Sequence, residues 1–407
     1  MNYENALTQI LDAGAEMVRC GGETHRVEDT VLRMSAALGF ENCSVWVVPS
    51  NVQATVTDPE GRVLTQLRAV RGGSINFDTL SRLNALSRWV CAEKPDDAAI
   101  AAKMEEIRSV PQPKAWLVYL AVALGGTAFC VFFGCDWLDC LTAIPASLLI
   151  CFLSRRLSPK EGNPLSLNFT IAFCVELLIL LSVQLGLVHH QGCITIGVVM
   201  LLISGLGATT GLRDLVHLDT LSGLINIVAS VTGAIGIALG IALPLLIFRA
   251  WSANDVITGL HPNVLIQIIS GAIACVGFSL WFRLRGVKIL WCALGAALCW
   301  GVYLAAYELL YPTVFGSTML ASVVCGLYGQ IQARLNRAPA TIFTTICLLP
   351  LIPGSSLYYS IYGVVTKNSE LASSKALDFG LTCFGIVLGF MVVEVAVRFI
   401  WRKARQH

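Results

Sequence analysis

Charge is the scarce ingredient of this chain. Only 13% of its 407 residues are Asp, Glu, Lys or Arg, about half the ~25% of an average soluble domain. The shortage is uneven. Residues 1–110 carry 11 Lys+Arg and 15 Asp+Glu, an ordinary soluble density. Residues 111–407 carry 17 and 11, set among long apolar runs. A wholly soluble enzyme, a disordered scaffold and a coiled coil are thereby excluded. Lys/Arg blocks are missing outside short loops, which removes nucleic acid as a partner. No CxxC pair occurs among the 15 cysteines, so neither a zinc nor a thioredoxin-type site is expected. Most cysteines sit inside apolar runs, where they pack as small hydrophobes. Glu4, Asp12, Glu16, Arg19 and Glu23 argue against a cleavable signal peptide. There is no HExxH, and the six histidines fall within the stretch 1–110 or near span ends. An enzyme is not expected, and neither a metal nor a cofactor is.

What is present is a series of apolar segments. A helix needs about 20 such residues to cross the hydrocarbon core, and ten candidates appear: 115–134, 137–153, 168–188, 193–212, 222–248, 263–282, 287–308, 316–333, 341–365 and 376–400. With ten spans and a cytoplasmic N-terminus, the inner connections hold fourteen Lys/Arg, among them Arg155, Arg156, Arg213, Arg283 and Arg285. The outer ones hold Arg249, Lys367 and Lys375. That asymmetry obeys the positive-inside rule and predicts a multi-pass protein of the cell (inner) membrane, embedded in lipid, with both termini cytoplasmic.

The body also reads as a repeat. LISGLGATTGLRD (202–214) and LIPGSSLYYSIYG (351–363) align when Gly205 is paired with Gly354, an offset of 149. Ser204 then meets Pro353, Gly236 meets Gly385 and Gly240 meets Gly389. The two Gly-interrupted segments fall in the fourth span of each five-span half. An odd number of spans per half makes the halves inverted, and broken helices at matching positions are a plan of secondary transporters. A break frees backbone N–H and C=O groups that hydrocarbon does not tolerate unless they face protein or a watery cavity. The expected helix breaks are Ser204, Gly205, Pro353 and Gly354. Kinks that serve packing alone are the competing reading.

The stretch 1–110 alternates differently. Amphipathic helical patterns at 3–20 and 24–38 lead to three strand-like runs around CSVWVVP, VQATVT and RVLTQLRAV, then to helices near 77–92 and 96–108. Thr24 is the expected N-cap of the second helix. The fold class is therefore a membrane all-α body of ten transmembrane helices, an inverted 5+5 repeat with broken helices, preceded by a small cytoplasmic α+β domain. Its divisions fall at 1–110, 111–250 and 260–407. Within GGETHRVEDT, His25, Glu28 and Asp29 share a helix face that suits metal or proton chemistry, or docks on the membrane part through salt bridges.

With these residues in view, the chain resembles the threonine/serine exporter (ThrE) family. Its split relatives are two-component transporters of the YjjP/YjjB type, associated with succinate export. The matching stretches are GGETHRVEDTVLRMSAALG, INFDTLSRLNALSR (75–88), GATTGLRDLVHLDTLSG (207–223) and, most specifically, ARLNRAPATIFTTICLLPLIPGSSLYY (333–359). The resemblance implies a cytoplasmic head, ten spans and ion-driven export of small polar metabolites. The sequence departs from the family pattern at Ser204, Thr210, Leu218, His25 and Ala229.

Intramembrane acids are functional candidates, because a charge at a helix centre costs at least about 2.5–3.5 kcal/mol. Glu176, Asp214 and Asp378 are the expected proton-coupling residues. Asp136 and Asp139, at an outer helix end, read as solvated. By the family match Arg213 and Asp214 face the transport path, where Arg213 suits a substrate carboxylate or simply anchors topology. Thr209, Thr210 and Ser222 suit hydroxyl or amino groups, and Ser355, Ser356, Tyr358 and Tyr359 supply the matching polar set. Threonine/serine export by proton-coupled alternating access is the leading expectation. A dicarboxylate (succinate) exporter and a membrane sensor with a ligand-binding head are the alternatives. Monomer and homodimer both stay open.

Overall fold

The computed structural model describes the chain apart from residues 1, 203–206, 208, 209, 212, 213, 216–218, 249–262, 311, 312 and 405–407, and apart from the side chains of 365 and 398–404. The first part builds α1 (Tyr3–Arg19), α2 (Thr24–Ala37), a sheet of β1 (Glu41–Val48), β2 (Asn51–Thr57) and β3 (Val63–Ala69), then α3 (Phe77–Glu93) and α4 (Asp97–Arg108). The sheet is antiparallel with β2 in the centre. Its alternation buries Val52, Ala54 and Val56 against Leu7, Ile10 and Leu11 of α1 and Val27 and Val31 of α2, as a one-faced sheet requires. Thr24 is not the N-cap it was expected to be. Glu23 holds that position without a side-chain hydrogen bond, and the Thr24 hydroxyl is committed elsewhere.

The remainder is helical: α5 (Ala115–Phe132), α6 (Trp137–Leu157), α7 (Pro164–Gln184), α8 (Gln191–Val199), α9 (Thr220–Ile247), α10 (Val264–Trp281), α11 (Lys288–Leu309), α12 (Val314–Leu335), α13 (Ala340–Cys347), α14 (Gly354–Val365) and α15 (Ser369–Ala404). Among the described residues, eight of these are long and apolar enough to cross a membrane. The bent pair around Leu348 makes nine if it is one span. The fourth of the ten expected spans, 193–212, begins as α8 and runs into residues outside those described, as do Ser204 and Gly205. α7 starts a turn earlier than the hydropathy suggested. Asn163 caps it, accepting from Leu165 N at 2.9 Å, and Pro164 fits the first helical position.

Helix starts recur at a near-constant spacing. Ala115 and Val264, Gln191 and Ala340, and Thr220 and Ser369 share the offset of 149, and the other two pairs, Trp137/Lys288 and Pro164/Val314, differ from it by only two and one. The packing recurs too, α7 lying on α9 as α12 lies on α15. Gly236 and Gly240 seat α9 on the carbonyls of Leu165 and Phe169; Gly385 and Gly389 seat α15 on those of Phe315 and Met319. A Cβ at any of the four would come within 3.0 Å of that carbonyl oxygen. Small residues that let backbones approach are the usual seam of membrane helices. At the centre α5 crosses α10, where Gly277 rests on the backbone of Gly125.

The second break is fully described. After α13, a 3₁₀ turn at Leu349–Leu351 and extended Ile352 lead to Pro353, which starts α14 at a bend of 45°. Pro353 lacks the N–H that would continue a helix.

Candidate functional site

Among the described residues, the sequence-predicted site residues of the body fall in three separate places rather than one. The first is a cavity of about 270 Å³ against the second break. Pro353, Ser355, Ser356 and Tyr359 line one side, and Lys375 and Asp378 of α15 another. Aromatic rings of Phe132, Trp300 and Tyr303 close the apolar wall, with Trp300 stacked on Tyr303 at 4.9 Å. Asp378 is paired with Lys375 at 3.1 Å and is half-buried, so it is not the isolated intramembrane acid the sequence suggested. Lys375, one helical turn before Asp378, is the partner that sequence reasoning assigned only to topology.

The second place is Glu176, fully enclosed in the middle of α7. Its two carboxyl oxygens accept one hydrogen bond each, from Gln191 Nε2 at 2.9 Å and Thr195 Oγ1 at 3.0 Å. No basic side chain pairs with it among the described residues. Gln191 and Thr195 lie four apart on α8, and this i, i+4 spacing was the available signal for a partner set. Tyr358 and Tyr362 of α14 stand near enough to interact electrostatically with Glu176. Tyr358 thus differs from Ser355 and Ser356, which line the cavity, by lying within electrostatic reach of the buried acid.

The third place joins body to head. Asp214 accepts from Ser222 Oγ at 3.0 Å and Asn226 Nδ2 at 3.1 Å. The Thr24 hydroxyl, on the first helical residue of α2, meets Ser222 Oγ at 2.8 Å. Burial is the main reason the Asp214 carboxyl is pushed up to about 6. The two hydrogen bonds oppose it, and Glu23 and Asp219 add to it. Ser222 therefore bridges Asp214 and Thr24. Thr210 donates to the carbonyl of Gly207 at 3.2 Å. Thr209 and Arg213 lie outside the described residues. The His25, Glu28 and Asp29 face is divided: Glu28 accepts from Val47 N at 3.1 Å and Asp29 pairs with Arg33 at 2.8 Å.

One expectation fails outright. Asp139 is not solvated but fully buried. Its Oδ1 accepts from the backbone N of His189 (2.8 Å) and His190 (3.1 Å), and its Oδ2 faces His190 Nδ1 at 2.8 Å. Asp136 beside it bonds His189 Nδ1 at 2.6 Å and completes a capping box at the start of α6. These contacts fix the loop that delivers Gln191 to Glu176.

A multi-pass membrane protein with polar groups sequestered between its helices is the architecture of a carrier for small polar solutes. The chain belongs to the threonine/serine exporter family, ThrE: one family model, Putative threonine/serine exporter, matches residues 9–248 and a second, Threonine/Serine exporter, ThrE, matches residues 267–396. It is similar to the threonine/serine exporter of Corynebacterium glutamicum, with 21% identity over 342 residues, covering 81% of this chain and 69% of that relative. No solved structure matches it. The family is one of membrane exporters, so the chain is a transporter by membership.

Proposed function

We propose that this protein exports threonine and serine across the inner membrane by proton-coupled alternating access between two inverted five-span halves, with both termini in the cytoplasm. The observation that carries the substrate class is the cavity at the second break. A zwitterionic amino acid needs an anion acceptor and a cation acceptor a few ångströms apart. The start of α14 offers first-turn N–H groups without intrahelical partners and the positive end of a helix dipole, beside the hydroxyls of Ser355 and Ser356. Asp378 offers the carboxylate for the ammonium group, with Lys375 as its counter-ion between transport cycles. At ~30 Å³ per water molecule, 270 Å³ is room for a small solute and not for a drug-sized one. A dicarboxylate fits less well, because its second carboxylate would face Asp378.

The repeated helix spacing and the four glycine seats support the inverted-repeat reading. Glu176 supports the coupling reading. A buried acid held only by neutral partners can gain and lose a proton without breaking an ion pair, whereas an ionised acid at that depth is costly. Asp214 provides a second titrating group at the cytoplasmic end, and the head closes over it through Thr24.

Counterflow in proteoliposomes with labelled threonine, serine and succinate tests the substrate. Exchange of threonine and serine with little succinate is expected; succinate exchange alone would overturn the reading. Coupling is tested in the same vesicles. Flux that is independent of an imposed pH gradient, or unchanged after Glu176→Gln and Asp214→Asn, would sink it.

A further inference from the structure

A second and larger cavity, about 480 Å³, opens where the head meets the body. Four segments form it: the end of α1, the stretch 73–79 entering α3, the linker 107–113, and the connection between α10 and α11. Arg19, Arg108, Arg283 and Arg285 line it, against Glu16 and Asp78 as the acids. Those two acids are already engaged. Glu16 pairs with Arg19 at 3.0 Å, and Asp78 with Arg82 at 3.1 Å and Arg285 at 3.7 Å. Arg108 reaches Asp12 at 3.4 Å.

Arg283 is different. Its half-buried guanidinium makes no hydrogen bond or ion pair among the described residues, and beside its burial the groups that act on it are the thiol of Cys20 and a second cation, Arg155. It is also held in place. Its backbone is left-handed (φ 60°), an unfavourable conformation for an Arg. The preceding Phe282 is anchored in the head: its carbonyl accepts from Phe77 N at 2.9 Å and its ring meets Phe77 edge-on at 5.5 Å. A partly desolvated guanidinium without an anionic partner is costly, and its planar fork of donors matches oxyanions.

We propose that this cavity is a binding site for a phosphate-type oxyanion centred on Arg283, supplied by a phosphate-bearing solute or by an anionic lipid headgroup. The ligand would touch the head at Arg19 and the body at Arg283 together, tying the two parts. Both sources share the chemistry, because the α10–α11 connection ends two spanning helices and so lies at headgroup depth.

The full chain in phosphatidylcholine nanodiscs is melted with inorganic phosphate and with chloride of equal ionic strength, and again in nanodiscs containing phosphatidylglycerol. Arg283→Asn removes the guanidinium while Asn tolerates the left-handed backbone. The expected result is that phosphate raises the melting temperature of the wild type. In the variant the phosphate concentration for half the shift should rise at least about tenfold, the loss of one charge-assisted contact. A rise seen only with phosphatidylglycerol, and lost in the variant, assigns the lipid as the source. Should Arg283→Asn not elute as a monodisperse species, Arg19→Gln carries the same comparison. No stabilisation by either anion, or stabilisation equal in wild type and variants, overturns the site.

Discussion

The two halves of the membrane body share their scaffold but not their chemistry. Equivalent helices begin at a near-constant offset, and Gly236 and Gly240 in one half seat a helix as Gly385 and Gly389 do in the other. The acids break the pattern. The first half encloses Glu176 among neutral partners; the second holds Asp378 in a half-buried pair with Lys375. At the offset of 149, Glu176 is matched by Cys325 and Asp378 by Ala229. Close packing tolerates little change, so a recurring helix seat keeps its small residues, whereas a polar site needs each group once. On the proposed mechanism, the first half handles the proton and the second the substrate.

The largest expected effect tests the shared scaffold. Gly240→Leu and Gly389→Leu should each destabilise the fold by about 1–3 kcal/mol or more, read as lost monodisperse protein in size-exclusion chromatography. Gly380→Leu on the same helix as Gly389 should be harmless, because nothing lies within 4 Å of a Cβ there. Tolerance of one seat and not its counterpart would show that the halves are not built alike.

The division of labour predicts the next effect. Glu176→Gln should abolish the response of threonine flux to a pH gradient while leaving threonine binding intact. Asp378→Asn should weaken threonine binding by about 10–100-fold, the worth of a charge-assisted hydrogen bond, and leave the pH response. Scintillation-proximity binding and flux on the same two variants separate these outcomes. The reverse assignment would exchange the roles of the halves.

Much of this comparison was legible in the sequence. Period and turn chemistry located every element of the head to within a few residues, and the offset of 149 came from pairing Gly205 with Gly354. The grouping of polar residues was not legible, because it depends on which helices meet. Thr24 and Ser222 are 198 positions apart, and Asp139 and His190 are 51 apart. Asp139 looked solvated because its position at a helix start says nothing of a loop folded over it. Ser355 and Tyr358 looked alike in the sequence, yet Ser355 lines the cavity while Tyr358 interacts with Glu176, a difference set by which helices pack against α14.

A smaller effect tests how the head is held. Ser222→Ala removes the shared partner of Asp214 and Thr24 and should cost about 1 kcal/mol. Faster proteolysis of the linker 109–114 would report the loosened head, and Thr24→Ala on top of it should add little, since both act on one contact. Additive effects would mean that Thr24 holds the head by another route.

The smallest effect concerns the cluster at the start of α6, for which the second half has a different residue: at the offset of 149, Asp139 is matched by Lys288. Hydrogen bonds donated to Asp136 and Asp139 raise the pKa of His189 and His190 above the usual 6.5, and Asp136 is lowered to about 2, chiefly by the hydrogen bond it accepts from the backbone N–H of Asp139. A raised histidine contributes stability that is fully present below its unfolded pKa and is lost as pH rises through the folded value. A lowered Asp contributes stability that is present above its unfolded pKa and is lost as pH falls through the folded one. The pairs should therefore hold best between about pH 4 and 6.5, with melting temperature falling above that window in the wild type and less in the His189→Gln, His190→Gln double variant. An identical pH profile in both would show that the backbone bonds to Asp139, and not the imidazole pairs, hold the loop that carries Gln191 to Glu176.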